Sequence, residues 1–289
     1  MRPGLIGLIS VTMVAFAANS VLNRMAVDGQ HIDPLTFAII RVVSGAVMLS
    51  ILALASGRRP RIPAPGRFLS AVALTSYLLG FSIAYVHLEA GIGALILFGG
   101  VQLVMFGAGV ISDEVIPAQR WIGAGAAFGG LVLLCWPADA AAPWIGIVAM
   151  GLAAIGWAFY SLLGRGAKDP LADTAASFLI AAPLVWLPVL VLPVSPEGPM
   201  PVTGLGYGLA IVSGAVTSGL GYALWYRILP QIDASTAALV QLSAPFLAVL
   251  GGATLLGEAV GWRIAIAGAL ILGGIALGLA QRKIGSSGS

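Results

Sequence analysis

Ten stretches of roughly 20 apolar residues, separated by connections that hold the prolines and nearly all the charge, constrain this chain more than any other feature. A helix needs about that length to cross a hydrocarbon core ~30 Å thick, where only helices and closed barrels satisfy every backbone group. The blocks cover approximately residues 4–24, 35–56, 67–88, 91–112, 119–137, 143–164, 171–193, 203–226, 234–255 and 261–281. Composition agrees: 59% of residues are hydrophobic and 9% charged, about a third of the charge that a soluble domain carries. The expected fold class is all-α integral membrane, with ten transmembrane helices.

The chain also repeats itself. Residues 17–28, AANSVLNRMAVD, are matched by residues 158–169, AFYSLLGRGAKD, which keep Ala, Ser, Leu, Arg, Ala and Asp in register. Residues 90–114 align with 234–258, sharing Ala90/Ala234, Ala94/Ala238, Leu95/Leu239, Leu103/Leu247, Gly107/Gly251 and Glu114/Glu258, and Gly129-Gly130 continue onto Gly273-Gly274. These matches predict two related halves of five spans, 1–138 and 143–284, with the tail 285–289 (GSSGS) set aside as an expression remnant. An odd number of spans per half makes the second copy enter the bilayer from the opposite face, giving inverted repeats. The first block imitates a signal peptide ending at Ala15-Phe16-Ala17, but cleavage there would destroy half of the repeat.

Basic residues test that topology, because Lys and Arg of short loops stay in the cytoplasm. With GRRPRIPAPGR placed inside, alternation puts Arg2, Arg58, Arg59, Arg61, Arg67, Arg120, Arg165, Lys168, Arg227, Arg282 and Lys283 inside, and only Arg24 and Arg263 outside. Both termini are then expected in the cytoplasm of a bacterium, with the protein in the inner membrane. The net charge of +3 is a topology signal, and no nucleic-acid partner is expected. Inverted five-helix halves suit a secondary transporter, since two similar halves can close one gate while opening the other around a midplane site.

Two five-span halves, the segment AALVQLSAPFLAVLGGATLLGE (237–258) with Pro245 and Glu258, and the Gly-rich GALILGGIALGLA (268–280) together resemble the drug/metabolite transporter superfamily in its ten-helix, EamA-type form. The first half departs from the pattern, with Val101 where Pro would stand and Asp113-Glu114 in place of Gly-Glu. Within the superfamily the chain is most similar to bacterial aromatic amino-acid exporters. The resemblance implies spans 1, 3, 4, 6, 8 and 9 around a central cavity, with spans 5 and 10 packed at one side.

Polar and aromatic side chains at membrane depth are the candidates for the site, since lipid offers them no partner. Span 1 has Thr12, Phe16, Asn19 and Asn23 on one helical face, and span 6 answers with Trp157, Tyr160 and Ser161. Spans 3 and 8 add Tyr77, Ser213 and Thr217, and spans 4 and 9 add Gln102 and Gln241. The substrate-binding set is therefore Asn19, Tyr77, Gln102, Trp157, Tyr160, Ser213, Thr217 and Gln241, with plain interhelical bonding the competing role, above all for Ser213 and Thr217. Amide and hydroxyl groups beside flat rings suit an amino acid or similar small metabolite.

What is missing sharpens the reading. All eleven acids lie in connections or at span ends, and both histidines, His31 and His87, lie toward the outer face. No carboxylate pair, metal set or nucleophile with a base is available, so the chain is expected to be no enzyme and to need no cofactor or metal. A proton-coupled carrier needs an embedded ionisable group, so facilitated transport is expected instead. Absent acids also argue against polycationic drugs. Arg41, the single embedded cation, is expected to snorkel to the outer interface, the alternative being a bond to a substrate carboxylate. Cys135 reads as a small core filler. Gly125-x-x-x-Gly129 and Gly274-x-x-x-Gly278 have the spacing of close helix contacts and are expected to join spans 5 and 10 within one chain, a monomer, with dimerisation the alternative. Pro183, Pro188 and Pro245 are expected to kink spans 7 and 9, and Pro245 is the candidate hinge.

Overall fold

Every apolar block carries a helix in the computed structural model, which describes residues 2–27, 29–85, 87–88, 90–135, 143–187, 202–255 and 261–280. The helices are α1 (Pro3–Val27), α2 (Pro34–Ala55), α3 (Arg67–Tyr85), α4 (Ala90–Ile111), α5 (Ala118–Cys135), α6 (Trp144–Gly164), α7 (Pro170–Leu184), α8 (Gly204–Gln231), α9 (Ala234–Leu255) and α10 (Trp262–Leu279). Among the described residues, nine are long and apolar enough to cross a membrane, and α7 is a shorter apolar helix. Large apolar side chains such as Val47, Leu54, Leu103, Ile122 and Leu272 stand on the outside of the bundle, the arrangement lipid requires and water would forbid.

The acids at the span ends have local work. Asp33 accepts hydrogen bonds from the Leu35 and Thr36 amides (3.1 and 2.9 Å), and Asp169 accepts one from the Ala172 amide (3.3 Å). Each therefore caps a helix that starts with Pro, at α2 and α7, where a missing amide hydrogen costs nothing. The shared Asp-Pro-Leu, at 33–35 and 169–171, is a further echo between the halves. Helices at corresponding places pack on one another, α2 on α7, α4 on α9 and α5 on α10.

The contacts of α5 with α10 are among the most extensive in the bundle. Gly274 and Gly278 lie in this contact as expected, but the α5 residues differ from the expected pair. A Cβ on Gly125 or Gly129 would meet nothing within 4 Å, whereas one on Gly123 would run into the backbone of Gly274 and Gly278. Gly123, Ala127 and Gly130 form the α5 side of the contact. The correction follows from helical period: 125 and 129 share one face, and the buried face lies two positions away.

Two helices are irregular where they meet the centre. α8 contains a π-helical segment, Ser213–Leu220, between α-helical ends, and such widened turns are frequent at functional sites. It lies against α2 with backbone in contact, for a Cβ on Gly214 would overlap the Arg41 carbonyl and the Ser44 hydroxyl. α9 is interrupted at Leu242, between Ala234–Gln241 and Ser243–Leu255. Pro245 supplies the cause: it has no amide hydrogen to give to the Gln241 carbonyl one turn back. Pro183 sits one residue before the end of α7, while Pro188 and Glu258 lie outside the described residues.

Candidate functional site

The helices enclose a cavity of about 150 Å³, walled chiefly by rings. α1 contributes Phe16, Asn19 and Ser20, α3 contributes Tyr77 and Phe81, α6 contributes Trp157, α8 contributes Tyr222 and α9 contributes Pro245. Trp157 is at the centre of this wall, with ring centroids 5.3 Å from Phe16, 4.8 Å from Tyr77 and 4.8 Å from Tyr222. These tilted and edge-on geometries are favoured by the ring quadrupoles and add to the area buried. The lining continues to Arg24, Tyr85, Ala94, Leu134, Cys135 and Val249, which belong to the halves of their helices remote from Pro3. The cavity therefore faces the end of the bundle opposite the N-terminus.

Toward the N-terminal end, stacked rings and hydrogen bonds close the bundle. Tyr160 lies under Trp157, its centroid 4.7 Å from Tyr226. The Tyr226 hydroxyl is 2.8 Å from the Ser70 hydroxyl and donates to the Tyr160 carbonyl at 3.1 Å, and Ser70 in turn meets Ser177 at 3.2 Å. Below this layer Arg67 pairs with Asp173, joining α3 to α7. On the other side Glu114 accepts from the Ala234 amide at 3.1 Å and from Ser235, capping α9, while Arg120 bridges Glu114 and Asp233 at 3.2 Å each.

The residues singled out from the sequence divide into two layers. Asn19, Tyr77, Trp157 and Pro245 are on the cavity wall. Ser213, Thr217, Gln241, Tyr160 and Gln102 stand behind or below it. Asn19 Oδ1 accepts from both Ser213 and Thr217, the latter at 3.1 Å, and so ties α1 to the π segment of α8. Gln241 Oε1 accepts from the Trp157 indole, and its amide nitrogen donates to the Ala237 carbonyl at 3.0 Å. The second layer therefore orients the first.

Gln102 is different: it is buried, and neither end of its amide has a hydrogen-bond partner. An unsatisfied buried polar group costs about 1–3 kcal/mol. Gln102→Leu is accordingly expected to raise the melting temperature of the purified protein by a few degrees, read from a thermal melt in detergent, and to slow transport if the amide serves another conformation. A lower melting temperature would contradict this.

Arg41 corrects the expectation from sequence. It does not snorkel but is 2% exposed and turned into the bundle. Its Nε donates to Ser218 at 2.7 Å and its Nη2 to the Tyr222 hydroxyl at 2.6 Å. Hydropathy alone could not reveal this, since the inward face of α2 is set by its contact with the π segment. Phe16, on the inward stripe of span 1 expected from the sequence, is a wall residue, whereas Tyr222 and Phe81 are wall residues that the sequence does not single out; Tyr222 lies on the same face of α8 as Ser218, one turn on.

Apolar helices around a ring-walled cavity, blocked at one end, are the architecture of a membrane transporter of small molecules. Residues 144–279, the second half of the chain, match the model of the EamA-like transporter family. It is 45% identical to an uncharacterised protein of Pseudomonas aeruginosa over 94% of this chain and 93% of that one. An uncharacterised transporter of Archaeoglobus fulgidus is 22% identical over 88% of this chain and 91% of its own length. A solved crystal structure shares the fold at TM-score 0.78 and 22% identity, covering 93% of this chain and 98% of its own.

Proposed function

We propose that the protein is a facilitative carrier that exports neutral amino acids, aromatic ones foremost, or similar small metabolites by alternating access. The observation that carries this reading is the cavity wall of Phe16, Tyr77, Phe81, Trp157 and Tyr222 with Asn19 at its edge, which offers ring faces to an apolar side chain and a polar group to the other end. Likeness to bacterial aromatic amino-acid exporters, drawn from the sequence, points the same way. Pairing of α2 with α7, α4 with α9 and α5 with α10 supports two halves, 1–138 and 143–284, related by a two-fold axis. The distribution of Lys and Arg supports an inner-membrane orientation with cytoplasmic termini, so the cavity faces outward.

No acidic side chain lines the cavity among the described residues, which supports transport down a gradient without a proton relay. The test is counterflow in proteoliposomes loaded with unlabelled phenylalanine and given labelled aromatic and small polar amino acids with no ion gradient. Saturable exchange, strongest for the aromatic group, is the expected result. Exchange that begins only under a pH gradient would overturn facilitation. Failure of every amino acid to exchange would favour a broad drug or metabolite exporter. Pro245→Ala, which restores the amide that α9 lacks, is expected to slow exchange several-fold with little change in half-saturation, because it stiffens the break beside the cavity.

A further inference from the structure

Resting on the amino-acid reading of the cavity but going beyond it, we infer that the recognised group is the substrate's carboxylate, and that Arg41 acts as its positioning residue through Tyr222. Arg41 is a buried cation that pairs with no carboxylate among the described residues, and its bonds are to hydroxyls. A guanidinium can only donate. Ser218 and Tyr222 must therefore accept from it, and their own protons turn away from it. Tyr222 lines the cavity, and its hydroxyl, polarised by the cation behind it, interacts with the hydroxyl of Tyr77, so the two wall tyrosines together are the donor pair that would meet a carboxylate. The Tyr77 hydroxyl, also on the wall, lies beside the same cluster.

Asn19, another polar group of the wall, has the same sense. Both hydroxyls that meet Asn19 take its oxygen, which leaves the amide N–H groups as what Asn19 can offer a solute. The Trp157 indole is committed to Gln241. No acidic side chain lines the cavity among the described residues. A cavity whose donors are backed by the buried Arg41 cation favours acceptors that carry negative charge over an ammonium group. The amino group of a substrate is then tolerated toward the open mouth and is not required.

Two probes separate the ends of phenylalanine: 3-phenylpropanoate keeps the carboxylate and 2-phenylethylamine keeps the amine. Their affinities for the purified full chain at pH 7 are read by calorimetry. The acid is expected to bind at least about tenfold more tightly than the amine, and Tyr222→Phe, which keeps the ring, is expected to lower acid affinity about tenfold while leaving the amine unchanged. Arg41→Met should do the same; should it fail to fold, Tyr222→Phe alone decides. Equal or tighter binding of the amine, binding of neither probe, or an unchanged preference in Tyr222→Phe would overturn the inference. If 3-phenylpropanoate binds while no amino acid exchanges, the amino-acid reading falls and the carboxylate site stands. If phenylalanine exchanges and the amine competes as well as the acid, the reverse holds.

Discussion

Trp157→Ala is expected to raise the half-saturation concentration for an aromatic substrate by about tenfold or more, the largest effect of any single wall residue. Trp157 touches Phe16, Tyr77, Tyr160 and Tyr222, and each such ring contact contributes about 0.5–1.5 kcal/mol beyond area. Removing the indole takes away the main flat face of the cavity and leaves Gln241 Oε1 without its donor, an orphaned acceptor that costs a further ~1–3 kcal/mol. Trp157→Phe keeps a ring and loses only the N–H, so it should fall between. Initial rates of counterflow over a range of phenylalanine concentrations measure the effect, and melting curves of the same variants separate site damage from unfolding. Equal half-saturation in Trp157→Ala would mean that the solute does not rest on this wall.

Gly274→Leu is expected to abolish most of the folded yield. A Cβ there would stand 2.7 Å from the Ala127 amide nitrogen and collide with the Gly123 carbonyl, and neither can step aside without moving α5 bodily. Overpacking of this kind costs ~1–3 kcal/mol when side chains can yield and more when backbone must, which for a chain of this size moves the melting temperature by roughly 10 °C. Gly125→Leu and Gly129→Leu place the same added bulk where a Cβ meets nothing within 4 Å, and should leave yield and melting nearly unchanged. The contrast between Gly274→Leu and Gly125→Leu, read by size-exclusion profiles in detergent, tests which face of α5 is buried. Equal damage from the two would place Gly125 back in a contact.

How far the sequence reaches depends on which force decides each feature. The span positions follow from desolvation of long apolar stretches, a one-dimensional property, so nine of the ten blocks agree with their helices to within about five residues, while α7 ends at Leu184 and the far end of its block, 171–193, lies outside the described residues. Proline effects are equally local, and the break in α9 falls one turn before Pro245 as the missing amide requires. Facing is less legible, because in lipid both faces of a helix are apolar. Spacing alone does not choose between Gly125 and Gly123, and the depth of Arg41 near one end of α2 is equally compatible with snorkelling to the interface. Its inward turn depends on the π segment of α8, whose Ser213–Leu220 run carries Ser, Thr and Gly but no signal of the widened turn.

Alternating access is the central claim, and thiol labelling tests it most directly. In a Cys135→Ala background, Ser20→Cys puts a thiol on the open wall and Ser70→Cys puts one in the closed layer that joins Tyr226 and Ser177. A membrane-impermeant maleimide is applied to vesicles of both orientations, with and without saturating substrate. Alternating access predicts that Ser20→Cys reacts only from the face opposite the termini and Ser70→Cys only from the terminal face, with substrate shifting the two rates in opposite senses. Labelling of both thiols from one face, or rates that rise and fall together, would contradict it.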